Sequence, residues 1–140
     1  MATITARIER TPYETHLSTG TQVIVVDEPK EVGGQDRGMR PGELLAGSLA
    51  SCTAVTVRMY ADRKGWSLDS VVIHVDYTYD PAEKRSRFVM KLILNGDLDP
   101  EQRLRLREIA DRCPIHRALE HPIDFETTLV DEPAQPVANQ

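Results

Sequence analysis

The chain has 140 residues, a formal net charge of -5 and an isoelectric point near 5.3. That length suits one domain with its own hydrophobic core, and the acidic balance argues against nucleic acid or an anionic membrane surface as partners. No apolar run reaches the roughly 20 residues that span a bilayer. The start, MATITARIER, lacks the apolar core of a secretory signal, and two cysteines are too few for a secreted disulfide framework. A cytoplasmic protein is expected.

In chain order, Ile4, Ala6 and Ile8 alternate with polar neighbours, which predicts a strand over Thr3 to Glu9. A turn at Arg10–Tyr13, a second strand from Tyr13 to Ser18, a turn at Thr19–Gly20 and a third strand from Gln22 to Val26 make a meander. Asp27 to Arg40, DEPKEVGGQDRGMR, reads as a long loop, of a kind that is functional or held by something else. Pro41 then opens a helix that runs to Lys64, with Gly65 as its cap. From Leu44 to Val57 this helix carries no charge, and small residues surround Cys52 near its centre.

Val71, Ile73, Val75, Tyr77 and Tyr79 form one face of a fourth strand, and Phe88, Met90, Leu92 and Leu94 one face of a fifth, joined by DPAEKRS. Asp99, Pro100 and Gln102 start a helix that reaches about Arg112, with Leu106, Ile109, Ala110 and Cys113 at helical spacing. Pro114 restarts a short helix to Leu119. A last strand is expected over Ile123, Phe125, Thr127 and Leu129. The order predicts an α+β domain with a mainly antiparallel sheet over residues 1–130, and a flexible tail over 131–140. An uncharged helix of this length needs cover on every side. It is either sandwiched inside its own subunit or packed on a second copy of itself, and its small residues favour the second arrangement.

The two thiols carry the candidate chemistry. A free cysteine such as Cys52 is often simply buried. Cys113 stands at the N-cap of the helix PIHRALE, where the helix dipole favours thiolate, and two such thiols suggest a redox couple. The rival reading is zinc held by Cys113, His116, His121 and Cys52, without the support of a CxxC or HExxH motif. His16 and His74 lie in strand patterns as structural or solvent-facing residues. Arg103, Arg105 and Arg107 spread around a helix as a solvated face, and no phosphate-binding glycine motif occurs.

EPKEVGG, then P-x-E-L-L-x-x-S-L-x-S-C-T, then RMYADRKGW, then CPIHRALE resemble the OsmC/Ohr family (osmotically inducible protein C, organic hydroperoxide resistance) over nearly the whole chain. The resemblance implies an intertwined homodimer with two central helices wrapped by sheets. It also implies a cysteine-based peroxidase of the stress response that reduces organic hydroperoxides. Cys52 would then attack the peroxide as the peroxidatic residue and Cys113 would resolve it through a Cys52–Cys113 disulfide. A dithiol, such as a lipoyl protein, would reduce that disulfide, and neither a metal nor an organic cofactor would be needed. The alternative is a non-catalytic dimer of the same fold that binds a hydrophobic ligand or senses redox state through its thiols.

The sequence departs from the best-studied branch, which pairs an Arg of the first hairpin with a Glu ten residues before the helical Cys. Ten before Cys52 is Gly42, and Glu43 is nine before. Nine helical steps turn about 900° and rise roughly 13 Å, so Glu43 faces away from the thiol of its own helix. Arg10 lies in the corresponding hairpin and is the first candidate for the activating cation, with Arg37 and Arg40 as rivals. Arg10 and Glu43 therefore join Cys52 and Cys113 as candidate catalytic residues.

Overall fold

Short alternating stretches near the N-terminus become three antiparallel strands, β1 (Thr5–Ile8), β2 (Thr15–Ser18) and β3 (Val23–Val26). They form one sheet in the order β1-β2-β3, with Arg7 opposite His16 and Leu17 opposite Ile24. The computed structural model describes residues 1–131; the tail expected over 131–140 lies, beyond Asp131, outside the described residues. The chain packs as two units, Met1–Leu44 with the segment from Glu126 on, and Leu45–Phe125.

In the first unit, the loop from Asp27 to Arg40 is organised by one carboxylate. Asp27 is 1% exposed. Its Oδ1 accepts from the backbone N–H of Glu28 (2.8 Å) and Tyr13 (3.3 Å), and its Oδ2 from those of Gln35 and Arg37 (both 3.2 Å). A short 3-10 helix, Lys30–Val32, shapes the middle of the loop, and Met39 returns to bridge Val26. Gly34 and Gly38 sit so close to the carbonyls of Glu28 and Val25 that any Cβ would collide with them. The loop thus folds as a compact strap.

Helix α1 (Pro41–Lys64) has Pro at its first position. Glu43 at the third position reaches back to accept the Arg40 N–H at 2.9 Å, one half of a capping box. Gly65, at φ +69°, ends the helix. Although no uninterrupted apolar run reaches a bilayer span, α1 as a whole is long and apolar enough to cross a membrane by length and composition, a test that a core helix also passes. Within its own chain it buries one stripe at four-residue spacing, Leu49, Thr53, Val57 and Ala61.

That stripe belongs to the second unit. Val57 and Ala61 pack with Leu68, Leu98, Leu106 and Ala110 in its core. Strands β4 (Ser67–Asp80) and β5 (Arg85–Asp97) form an antiparallel ribbon, with a register shift between Leu68 and Ser70. The predicted faces hold as far as Tyr77, with Val71 paired to Leu94, Ile73 to Leu92, Val75 to Met90 and Tyr77 to Phe88, whereas Tyr79, opposite Ser86, is exposed. The paired residues from Val71 to Tyr77 are half-buried, while Val72, His74, Val89 and Ile93 face outward.

Helix α2 (Pro100–Ala110) carries the full capping box of Asp99 and Gln102, and buries Leu106, Ile109 and Ala110. Its arginines do more than face solvent. Arg103 donates to the carbonyls of Leu94 (2.8 Å) and Gly96 (3.2 Å), and Arg105 donates to Tyr60 Oη at 3.1 Å. Helix α3 (Pro114–Glu120) follows with Cys113 as its N-cap.

The architecture is α+β with antiparallel sheets. The strand expected over Ile123 to Leu129 is not formed: among the described residues it has no pairing partner, and alternation without a ladder leaves Phe125 89% and Leu129 96% exposed. Helix α2 also stops two residues short of Arg112, where the N–H of Asp111 turns back to the Ile109 carbonyl.

Candidate functional site

Cys52 lies on α1 directly before Thr53, at the edge of the buried stripe, and is partly exposed. Cys113 is placed by α2. The face that buries Leu106, Ile109 and Ala110 carries the next turn inward, so Cys113 is 0% exposed. The two thiols are neighbours, and each shifts the acidity of the other. Both cysteines are free.

The surroundings push the two thiols apart in acidity. Burial raises Cys52, and the neighbouring Cys113 sulfur raises it further; the Ile115 N–H and Thr56 hydroxyl offset only part of this. Burial also pushes Cys113 up, but hydrogen bonds from the Cys52 thiol, the His116 N–H, the Thr53 hydroxyl and the Ile115 N–H outweigh it and hold Cys113 below the usual thiol range. The His116 N–H reaches Cys113 Sγ at 3.5 Å, the capping contact that the sequence led us to expect. Of the pair, Cys113 is the more acidic thiol.

The two expected charged residues belong to the first unit, the cysteines to the second. Arg10 is exposed in the turn between β1 and β2 and makes no ion pair among the described residues. Glu43 is occupied at the start of α1, where its Oε1 lies 3.6 Å from Arg40 Nε. Of the rival cations, Arg40 is thus paired with Glu43, and Arg37 with Glu14 at 3.1 Å. Besides burial, the main groups acting on each sulfur are the other cysteine, N–H groups and hydroxyls.

For the zinc alternative, no three His, Cys, Asp or Glu side chains converge as ligands would among the described residues. The His116 ring lies against carboxylates instead, with Nε2 3.3 Å from Glu120 and Nδ1 3.7 Å from Asp111.

Sequence reasoning missed Thr53 and Asp27. The signal for Thr53 was a lone hydroxyl in the i, i+4 series Leu49, Thr53, Val57, Ala61. For Asp27 it was an Asp leaving a strand into a glycine-rich loop, where carboxylates collect backbone N–H groups.

The profile of the OsmC-like protein family matches residues 33–128, a span that includes both cysteines. The chain belongs to the OsmC-like protein family. A relative in Bacillus subtilis (strain 168), the uncharacterized protein YmaD, is 22% identical over 119 residues, 79% of each chain. Among solved structures, the OsmC-like protein of Mycoplasma pneumoniae superposes with a TM-score of 0.74 at 19% identity, covering 86% of this chain and 87% of that one. The organic hydroperoxide resistance protein OhrB of Bacillus subtilis superposes with a TM-score of 0.60 at 24% identity, covering 89% and 93%. At these identities the likeness establishes the OsmC fold.

Proposed function

We propose that this OsmC-like protein is a cytoplasmic, homodimeric, thiol-dependent peroxidase for organic hydroperoxides. The observation that carries the reading is that Cys52 and Cys113 are neighbours, each shifting the acidity of the other. OhrB, a structural neighbour, is an organic hydroperoxide resistance protein, and peroxide defence is consistent with a paired thiol site.

Cys52 is the thiol open to substrate, since Cys113 is fully buried. In the proposed cycle the Cys52 proton passes to the Cys113 thiolate, which acts as the base. The Cys52 thiolate attacks the outer oxygen of the hydroperoxide and the O–O bond breaks. Sulfur keeps the OH as sulfenic acid, and the departing alkoxide takes the proton from Cys113 to leave as alcohol. The Cys113 thiolate then attacks the Cys52 sulfur, an S–S bond forms, and hydroxide leaves to become water. A dithiol restores both thiols by exchange. The apolar residues around α1 suit a greasy peroxide better than hydrogen peroxide. Arg10 remains the candidate cation for Cys52, and Glu43 the candidate residue to orient such a cation.

Peroxide consumption with cumene hydroperoxide and with hydrogen peroxide, driven by dithiothreitol or dihydrolipoamide, tests this. Turnover with the organic peroxide, lost in Cys52→Ser, is the expected result; equal activity of Cys52→Ser would sink it. A second reading, a redox sensor or binding module without turnover, draws support from burial holding the Cys52 proton in place with no cation as a main influence. It predicts one disulfide per oxidant equivalent and no sustained consumption.

A further inference from the structure

Away from the thiols, the end of α1 and the exposed side of α2 frame a cavity of about 510 Å³. Small-molecule sites occupy about 300–1,000 Å³. Tyr60 lies about two helical turns after Cys52, roughly 12 Å along the axis, and neither cysteine lines the cavity. Tyr60 and Trp66 form one wall. Both rings are half-buried against the core of the second unit, edge to face, with centroids 5.6 Å apart. Leu104, 63% exposed, makes an apolar lip.

The same end collects positive charge. Arg105 Nε donates to Tyr60 Oη at 3.1 Å. The Arg105 guanidinium and the Lys64 ammonium lie 5.6 and 5.7 Å from the centre of the Tyr60 ring. Three carboxylates also line the cavity, Asp99, Glu101 and Glu108, and two of them are committed. Asp99 accepts the Gln102 N–H at 2.8 Å as the cap of α2, and Glu108 pairs with Arg105 at 2.9 Å. Glu101 is exposed in the first turn of α2. Lys64 has no carboxylate at ion-pair distance among the described residues. The Tyr60 oxygen accepts from Arg105, and its own proton has no acceptor among the described residues.

The sign of the field at the phenol follows. The Arg105 hydrogen bond holds Tyr60 below its ordinary range against the opposing effect of burial, and Lys64 and Arg112 push it the same way. A cationic ligand would meet two cations already over the ring. An anion with a flat apolar body meets donors at one end and aromatic surface at the other. We propose that this cavity binds a small aromatic carboxylate, its ring against Trp66 and Leu104 and its carboxylate received by Lys64 and the Tyr60 hydroxyl. Lys64 is exposed on a flexible stem, so its ammonium can leave the ring for the ligand. Such a site is separate from the peroxide chemistry and adds a binding function to it.

Trp66 is the one tryptophan of the chain, so its fluorescence reads the cavity directly. The full-length protein should be titrated at pH 7 with benzoate, benzyltrimethylammonium and acetate, with calorimetry alongside to register binding that leaves the emission unchanged. Benzoate should bind saturably, and each of the other two at least tenfold more weakly. Lys64→Gln keeps the stem and removes the charge, and should weaken benzoate about tenfold. Tyr60→Phe keeps the ring and removes the donor, and should weaken it several-fold. Glu101→Gln removes the uncommitted carboxylate, so benzoate should bind more tightly. Opposite signs in Lys64→Gln and Glu101→Gln are the mark of an anion site, and loss of packing would not give them. No saturable benzoate binding by either method overturns the proposal, as does benzyltrimethylammonium binding as well as benzoate. Benzoate affinity unaltered in both Lys64→Gln and Tyr60→Phe overturns it too. Cys52→Ser should bind benzoate as the wild type does; a loss of binding there would move the ligand to the thiols and overturn this site.

Discussion

Cys52 and Cys113 differ most in what surrounds each sulfur. The Cys113 sulfur, made more acidic by its hydrogen bonds, disfavours a negative charge on Cys52. Cys113→Ser removes that neighbouring sulfur, so the Cys52 pKa should fall and its iodoacetamide alkylation profile should move to lower pH. The same variant should consume one equivalent of organic hydroperoxide and then stall as sulfenic acid or over-oxidise, as mass spectrometry of the product would register. A profile displaced upward would show that Cys113 does not raise the Cys52 pKa. Arg10 is tested in the same assay. If it is the activating cation, Arg10→Ala slows alkylation at pH 7 at least tenfold, or about 1.4 kcal/mol in the barrier. An unaltered profile there, with a shifted one in Arg40→Ala, would transfer the role to Arg40. Both cysteines, and the capping role of Cys113, were legible from the sequence because Pro114 marks a helix start. The opposite shifts of the two thiols were not, since they depend on residues sixty-one apart in the chain.

At the scale of elements, the loop from Asp27 to Arg40 rests on four N–H groups that converge on the Asp27 carboxylate. Burial alone would raise its pKa, but the four hydrogen bonds prevail and lower it. The linkage follows from that sign. A carboxylate depressed in the folded state adds stability that is complete above the ordinary carboxylate range, and loses it as pH falls through the depressed value. Asp27→Asn should therefore lower the urea midpoint at neutral pH, and the gap from wild type should close as acid protonates Asp27. A gap that stays constant down to pH 2 would contradict this account. The loop shows where sequence reading stops. Its length and breakers were plain, but which atom gathers it depends on how the chain returns to β3 at Met39. The ribbon of β4 and β5 was readable, as far as Tyr77, down to the residues on each face, because period-two alternation and a short turn fix register. The segment from Ile123 to Leu129 has the same alternation and forms no strand. Alternation reports a preference for a half-buried pleated surface, and only a neighbouring strand satisfies it.

The whole molecule has apolar surface that one chain does not cover. Helix α1 commits Leu49, Thr53, Val57 and Ala61 to its own unit, while Val55 is 56% and Met59 60% exposed one turn apart. On the outer face of the ribbon Val72 is 40% and Ile93 44% exposed, and Phe125 and Leu129 stand almost fully in solvent. Isolated apolar residues on a surface are ordinary, but continuous apolar stripes along a helix mark interaction surfaces. A second copy is the occupant that the OsmC-like resemblance implies. Covering a Val or Met side chain stabilises an interface by about 1.5–3 kcal/mol, so a few such positions on each chain can outweigh the loss of free tumbling on association. We therefore expect a dimer of about twice 15.7 kDa by sedimentation at low micromolar concentration. Val55→Glu should place a carboxylate against the partner helix and weaken association roughly a hundredfold, or about 3 kcal/mol. Met59→Leu keeps the face apolar and should leave the dimer intact. Because Val55 lies outside the buried stripe, the Glu variant should retain its helical circular dichroism while it dissociates. A wild-type chain that sediments as a folded monomer at these concentrations would overturn the dimer. A Val55→Glu variant that stays dimeric would move the interface off this face of α1.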